Sequence, residues 1–233
     1  FSMRSYAIIQ KIMLVPAIGG PVVLIIALFM TSKAEFIDKW NAIAAEYGSL
    51  DYQAFIAAAG LPDTWNWHHT LGAFSGVYAL FVYNYVIAYL SGEVKRPDKA
   101  LLAGNIMAVW TPIVLGLLTV IGLYRIVDFN FLSATAQASF GAGVEGYTAP
   151  YNPDYLTLTW IASGQSGVVA WAIALAFIAV IWLEITIALL VIARAFLAWG
   201  LDRLGPKWFT DVSPRHASPI KNLTVAMLGF AIG

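Results

Sequence analysis

The 233-residue sequence contains no cysteine and few charged side chains. The absence of cysteine excludes disulfides, thiolate nucleophiles and cysteine-ligated metals. Charged residues make up only 11% of the chain, and the 13 basic and 13 acidic side chains cancel to a formal net charge of zero. A soluble domain usually carries about 25% charged residues, so this composition argues against a water-soluble enzyme and a disordered tail. The zero net charge also provides no basic surface for DNA or RNA, and we expect no nucleic acid as a partner.

Long apolar stretches are abundant, and 60% of the residues are apolar. A bilayer core about 30 Å thick needs roughly 20 apolar residues in helical form. Four stretches meet this length and a fifth begins near the last residue, so we predict an all-α membrane protein with a single membrane domain over residues 1–233. Because both ends of the chain look cut, we expect a fragment of a longer protein. The predicted spans lie at about 8–31, 71–91, 100–126, 166–198 and 220–233, of which the last is truncated.

Lysine and arginine are distributed unevenly between the flanks of these spans. Ten of them lie on the side of the first residue and three on the other side. Because positively charged flanks stay in the cytoplasm, we predict a multi-pass protein of the cell membrane with its N-terminal end inside. Residues 92–99 and 199–219 then form cytoplasmic loops, and residues 32–70 and 127–165 form long outer loops.

The two outer loops are predicted to contain short helices. Apolar residues recur at helical spacing among charged residues near the start of the first loop, at Phe36, Trp40, Ile43 and Tyr47. This pattern is typical of an amphipathic helix that lies on the membrane surface. A second short helix is predicted over residues 52–59. Residues 128–165 are too many for a plain connector, so we expect them to form a lid with short helices.

The second predicted span carries three neighbouring side chains that can form hydrogen bonds, Tyr83, Asn84 and Tyr85, shortly after Phe81. Consecutive residues of a helix point in different directions, so the three cannot all share one buried face. They are packing residues bonded to a neighbouring helix, or they mark a local break in the helix whose freed backbone groups bind a ligand.

Glu184 is the only charged residue in the apolar stretch 166–193 of the fourth predicted span. An acid in the bilayer costs roughly 2.5–3.5 kcal/mol on insertion scales, so it normally faces a cavity, a partner or an ion pathway. Glu184 is therefore a neutral acid bonded to another helix, or a site for a proton or cation. Arg194 lies ten residues further on, about 15 Å along the helix axis, and cannot pair with it. No histidine stands at metal-ligand spacing from a carboxylate, and we expect no metal.

Two segments resemble signatures of the amino-acid permeases of the amino acid–polyamine–organocation (APC) superfamily. Residues 91–97 have the sequence SGEVKRP, which is similar to the family's G-E-V-K-x-P segment. Residues 193–209 are similar to its S-R-x-x-x-A-x-x-R-D-G-x-L-P-x-x-F segment, and residues 213–219 to the short stretch before the next span. The resemblance covers nearly the whole chain. It aligns the five spans with the fifth to ninth of the family's usual twelve helices.

The resemblance implies a 5+5 inverted-repeat transporter fold, present in part, with one discontinuous helix. It implies a secondary active transporter for amino acids or related amines that works by alternating access. Coupling to H⁺ or Na⁺, or exchange, is expected, and no other cofactor. The expected partners are a small-molecule substrate, the lipid bilayer and the remaining helices of the full-length transporter.

The resemblance also implies roles for individual residues. The family's broken helix often contains F-x-G-x-E, which aligns with residues 81–85 and assigns substrate binding to Phe81, Tyr83, Asn84 and Tyr85. Tyr83 and Tyr85 replace the family's glycine and acid, which suggests an altered substrate. Ion coupling is assigned to Glu184 and Thr186. A cytoplasmic gate or structural role is assigned to Glu93 and Arg194.

Two other classes of protein remain as alternatives. A non-transporting membrane sensor or subunit could retain the permease fold, and the tyrosine in place of glycine at Tyr83 favours it. A membrane-embedded enzyme needs a cluster of histidine, aspartate or glutamate at mid-depth, whereas Glu184 is the only acid there. We therefore do not expect an enzyme.

Overall fold

The computed structural model describes residues 3–60, 67, 71, 78, 96–141, 143–214 and 218–232. These residues fold almost entirely into helices, and the described ranges contain no β-strand beyond one isolated bridge between Ser213 and Ser218. Within the described residues, the α-helices are α1 (Met3–Met30), α2 (Lys33–Tyr47), α3 (Tyr52–Ala58), α4 (Pro97–Ile126), α5 (Phe129–Phe140), α6 (Tyr155–Ala162), α7 (Gly167–Leu201) and α8 (Ile220–Ile232), and a short 3-10 helix covers Lys207–Thr210.

Three of these helices are long and apolar enough to cross a membrane, over Tyr6–Met30, Pro97–Ile126 and Gly167–Leu201. They lie at the first, third and fourth predicted spans. At 1.5 Å per residue, even the 25-residue stretch exceeds the roughly 30 Å of a hydrocarbon core. Large apolar side chains such as Val15, Trp110 and Trp171 are exposed on them. A helix that is apolar on all sides is suited to lipid, so the chain is an all-α membrane protein. Nearly all of the second predicted span lies outside the described residues.

The chain forms two compact units. The first, here called the terminal unit, comprises residues 1–18, 82–108 and 176–233. The second, here called the aromatic unit, comprises residues 19–81 and 109–175. The candidate functional residues Glu184, Thr186 and Arg194 lie in the terminal unit.

The core of the aromatic unit is built from both predicted outer loops. Phe131 of α5 is fully buried, and its ring stacks on Tyr52 of α3 with centroids 4.3 Å apart. The rings of Phe131 and Trp40 of α2 pack edge-to-face with centroids 4.9 Å apart, and the ring centre of Phe55 lies 5.5 Å from that of Phe131. Stacked and edge-to-face pairs at these distances add to the stabilisation from burial. The core therefore depends on segments that are about 75 to 90 residues apart in sequence.

Local signals in the sequence set the ends of the short helices. The Ser32 side chain accepts a hydrogen bond from the backbone N–H of Glu35 and caps the start of α2. Gly48 ends α2 in the left-handed conformation at φ 60°, where a side chain would be strained. Asp51 and Asp154 cap α3 and α6 in the same way as Ser32.

The structure corrects the prediction that the apolar face of α2 lies against the membrane. Phe36, Trp40 and Ile43, the apolar face expected to meet lipid, are buried inside the aromatic core. The helical spacing was identified correctly, but the partner was not. An amphipathic pattern shows that a face must be covered and does not say by what. Here α3, α5 and α6 cover it.

In the terminal unit, the segment after α7 folds back tightly. The Phe209 ring stacks on Phe196 of α7 with centroids 4.9 Å apart. A Cβ placed on Gly205 would lie 2.6 Å from the Phe209 ring, and one placed on Gly200 would lie 2.7 Å from Phe209 Cβ. Contacts that short do not occur, so both glycines permit the ring to pack. This packing gives a physical reason for the two glycines and the phenylalanine of the permease-like segment 193–209.

Candidate functional site

Glu184 and Thr186 both lie on α7, but on different sides of it. A helix turns about 100° per residue, so two positions separated by two residues point about 200° apart. Glu184 is exposed, whereas Thr186 is partly buried. The two side chains cannot ligate one ion together from this helix. Any shared role needs groups from other helices on each side of α7.

Thr186 is bonded to α1. Gln10 Nε2 donates a hydrogen bond to Thr186 Oγ1, and the Thr186 hydroxyl lies within donating distance of the Trp182 carbonyl oxygen at 2.8 Å. The Gln10–Thr186 contact ties two apolar helices through polar side chains, as is common inside membranes. A hydroxyl that accepts one bond and donates one keeps one lone pair. Thr186 therefore retains one acceptor position for a ligand.

Gln10 was not among the residues selected from the sequence. It lies inside the first predicted span, 8–31, where an uncharged polar side chain is a signal for a helix–helix contact. This signal could have identified Gln10 as a polar group. It could not have identified Thr186 as the partner, because the two residues are 176 positions apart.

Arg194 lies near the end of α7, ten residues and about 15 Å along the axis from Glu184. Its neighbour Ala193 is buried and offers its carbonyl oxygen to Asn222 Nδ2 at 3.4 Å. Asn222 Nδ2 also donates to the Phe209 carbonyl oxygen at 2.9 Å. Asn222 is fully buried and joins α8 to the folded-back segment beside Arg194. The backbone next to Arg194 in sequence therefore belongs to a packed helix junction.

The predicted substrate-binding residues Phe81, Tyr83, Asn84 and Tyr85 lie outside the described residues, as does Glu93. Their assignment stays a prediction. No group of three or more histidine, aspartate or glutamate side chains suited to a metal occurs in the part of the chain that the structure describes.

Arg125 of α4 forms hydrogen bonds to the C-terminal end of helix α1. Arg125 Nη2 donates to the carbonyl oxygens of Leu28 at 3.1 Å and Thr31 at 2.6 Å, and also to that of Phe29. It thus satisfies carbonyl groups at the C-terminal end of α1, where a positive charge is also favoured by the helix dipole. The Arg125 guanidinium lies 5.5 Å from the centre of the Phe29 ring, within cation–π range.

Asp128 joins three elements of the aromatic unit. Lys33 Nζ lies 2.5 Å from Asp128 Oδ1, and the Tyr52 hydroxyl donates to Asp128 Oδ2 at 3.1 Å. The hydrogen bond from Lys33 lowers the pKa of the Asp128 carboxyl below its usual value. Burial raises the pKa of Tyr52 to about 12, so this hydroxyl stays protonated and able to donate at neutral pH. These contacts are structural and show no site for chemistry.

Three apolar helices of membrane-crossing length, together with polar groups between them, define a polytopic membrane protein. The family model for amino acid permeases matches residues 1–233, the whole chain. The chain therefore belongs to the amino acid permease family, in the APC superfamily. This is a family of membrane transporters rather than enzymes, and its members carry small molecules across the bilayer. No curated protein and no solved structure matches the chain.

Proposed function

We propose that this permease is a secondary active transporter for amino acids or related amines that works by alternating access. The observation that carries the proposal is the match of the amino acid permease family model over all 233 residues. The proposed architecture is the 5+5 inverted repeat, with the chain contributing its fifth to ninth helices and the remaining helices completing it. The N-terminal end of α1 is proposed to be cytoplasmic, on the evidence of the lysine and arginine distribution.

We propose that the substrate binds near the bilayer midplane at Phe81, Tyr83, Asn84 and Tyr85. Tyrosine hydroxyls and an asparagine amide can hydrogen-bond a carboxylate or an ammonium group. An aromatic face can also cover a cation. Freed backbone groups of a discontinuous helix would add further bonds to the substrate. This arrangement supports a zwitterionic or amine substrate.

We propose that Glu184 and Thr186 take part in coupling transport to H⁺ or Na⁺, acting from different sides of α7. Glu184 can couple movement by changing its protonation or its ion pairing between conformations. Thr186 offers a single remaining lone pair beside Gln10, which makes it a supporting ligand at most. Glu93 and Arg194 are proposed as cytoplasmic gate or structural residues.

Uptake of labelled amino acids by the permease in proteoliposomes tests the substrate site. Asn84→Ala and Tyr83→Ala are expected to lower uptake at least tenfold. Tyr78→Ala is the matched control, because Tyr78 lies in the same predicted span and is exposed. Normal uptake by both variants would show that Tyr83 and Asn84 do not bind the substrate.

Ion-driven accumulation in the same vesicles tests the coupling role. Glu184→Gln is expected to permit exchange of labelled substrate while abolishing uphill accumulation, because glutamine cannot change its charge. Glu46→Gln serves as the control, since Glu46 is an exposed acid of α2. Full accumulation by Glu184→Gln contradicts the role of Glu184.

A second candidate is a membrane sensor that retains the permease fold. The observation that favours it is the tyrosine at position 83, where the family's broken helix often has glycine. Saturable binding of an amino acid by the purified protein, with no uptake under any ion gradient, would support the sensor. Uptake above that of protein-free vesicles would reject it.

A further inference from the structure

The aromatic unit contains an open cavity of about 350 Å³ between the C-terminal part of α1 and the N-terminal end of α7. α1 contributes Val23, Ile26, Ala27 and Met30 to its walls, and α7 contributes Val168 and Val169. Both helices are long enough to cross a membrane, and α1 ends at Met30 close to where α7 begins, at Gly167. The cavity therefore lies at one surface of the membrane, where head groups meet acyl chains.

The cavity is apolar on its helical walls and charged at one end. Lys39 and Glu35 of α2 line that end. Lys39 Nζ lies 2.6 Å from Glu35 Oε1 and donates to the Ala162 carbonyl oxygen at 2.6 Å. An ammonium has three donor hydrogens, so one remains for a further acceptor. The Lys39 side chain is 27% exposed and that of Glu35 is 49% exposed, so both charges are accessible to a ligand.

Both members of this pair are held in place. The turn between α6 and α7 lies against the Lys39 stem, and a Cβ placed on Gly164 would lie 3.6 Å from Lys39 Cε. The hydrogen bond from Lys39 lowers the pKa of the Glu35 carboxyl, which keeps it ionised at neutral pH. An exposed pair at i and i+4 contributes little to stability, so a ligand can replace part of it.

The apolar walls are themselves open to their surroundings. Val168 is 72% exposed, and Ile26 and Met30 are also exposed. The cavity thus combines a positive and a negative charge a few ångströms apart with an apolar surface running along two membrane-crossing helices. A zwitterionic amphiphile complements both features, since its phosphate matches the ammonium, its amine matches the carboxylate and its chain matches the walls.

We propose that this cavity binds the head group and upper acyl chain of one phospholipid with a primary-amine head group, with its phosphate at Lys39 and its amine at Glu35. A primary amine donates hydrogen bonds to a carboxylate, whereas the quaternary amine of phosphatidylcholine does not. The site therefore prefers phosphatidylethanolamine to phosphatidylcholine. Binding of a lipid here joins α1, α2 and the start of α7 at the membrane surface.

Native mass spectrometry of the permease, titrated with phosphatidylethanolamine or phosphatidylcholine, tests the proposal. The unaltered protein is expected to retain one phosphatidylethanolamine about tenfold more tightly than phosphatidylcholine. Lys39→Gln is expected to weaken phosphatidylethanolamine binding about tenfold. Lys33→Gln is the matched control on the same helix, because Lys33 pairs with Asp128 and does not line the cavity.

Two further variants separate binding from folding. Val168→Trp fills the cavity at an exposed helix position and is expected to lose the lipid while leaving the helices intact. Glu35→Gln is expected to remove the preference between the two lipids, a change that a purely structural role does not produce. Equal binding of both lipids by the unaltered protein overturns the proposal. Unchanged lipid retention in Lys39→Gln and Val168→Trp also overturns it.

Discussion

Replacing Phe131 by alanine is expected to open the aromatic unit. Phe131 is fully buried at the centre of the ring cluster formed by α2, α3 and α5, and it contacts Tyr52, Trp40 and Phe55. A buried phenylalanine removes about 150–250 Å² from water, which at about 25 cal/mol per Å² corresponds to roughly 4–6 kcal/mol. Measured costs of phenylalanine-to-alanine changes in cores are about 3–5 kcal/mol.

Hydrogen exchange is the assay suited to this change, because one unit can open while the rest of the protein stays folded. Each 1.4 kcal/mol is a factor of ten in an equilibrium constant, so amides of α2 and α5 should exchange about a hundredfold to a few thousandfold faster. Phe140→Ala is the control on the same helix, because Phe140 is 85% exposed. Equal exchange in the two variants, or no change in either, would refute the assignment of the core.

Three further changes have defined outcomes. Arg125→Gln should lower the free energy of unfolding by about 2–3 kcal/mol, measured by thermal unfolding in detergent, because charged hydrogen bonds to the end of α1 are lost. The hydrogen bond from Lys33 lowers the pKa of the Asp128 carboxyl in the folded protein. The contact with Lys33 therefore stabilises the fold above the pKa that this carboxyl has in the unfolded chain, and the stabilisation is lost as the pH falls through the folded pKa. This pH dependence should be absent in Asp128→Asn. Gly205→Ala should cost about 1–3 kcal/mol in the same unfolding assay, because the new Cβ would meet the Phe209 ring.

A specific experimental outcome would contradict each of these three predictions. Arg125→Lys keeps the charge but lacks the planar fork, and full stability in that variant would show that charge alone suffices at the end of α1. An identical acid transition in Asp128→Asn would show that other carboxylates set it. Gly229→Ala is the control for Gly205, since no atom from elsewhere in the described fold lies within 4 Å of its Cβ position. Equal losses in the two variants would show that contact with the Phe209 ring is not the cause.

The site shows where reasoning from the sequence succeeded and where it stopped. The separation of Glu184 from Thr186 could have been predicted, because the helical repeat alone points them to different sides of α7. The bond between Thr186 and Gln10 could not, because nothing local to either residue specifies a partner on another helix. The amphipathic face of α2 was predicted, but its partner Phe131 lies about 90 residues away.

By itself, the sequence determined the membrane-crossing helices, since the length and apolar content of a segment are local properties that a bilayer reads directly. It also indicated the family through the segments around residues 91–97 and 193–209, and the family model that matches residues 1–233 confirms that family. Only the tertiary structure decided that the two outer loops share one aromatic core, that Arg125 caps α1, and that Lys39 and Glu35 stand at the mouth of an apolar cavity. The reason is that these contacts join distant segments, and packing geometry rather than local pattern selects which side chains meet.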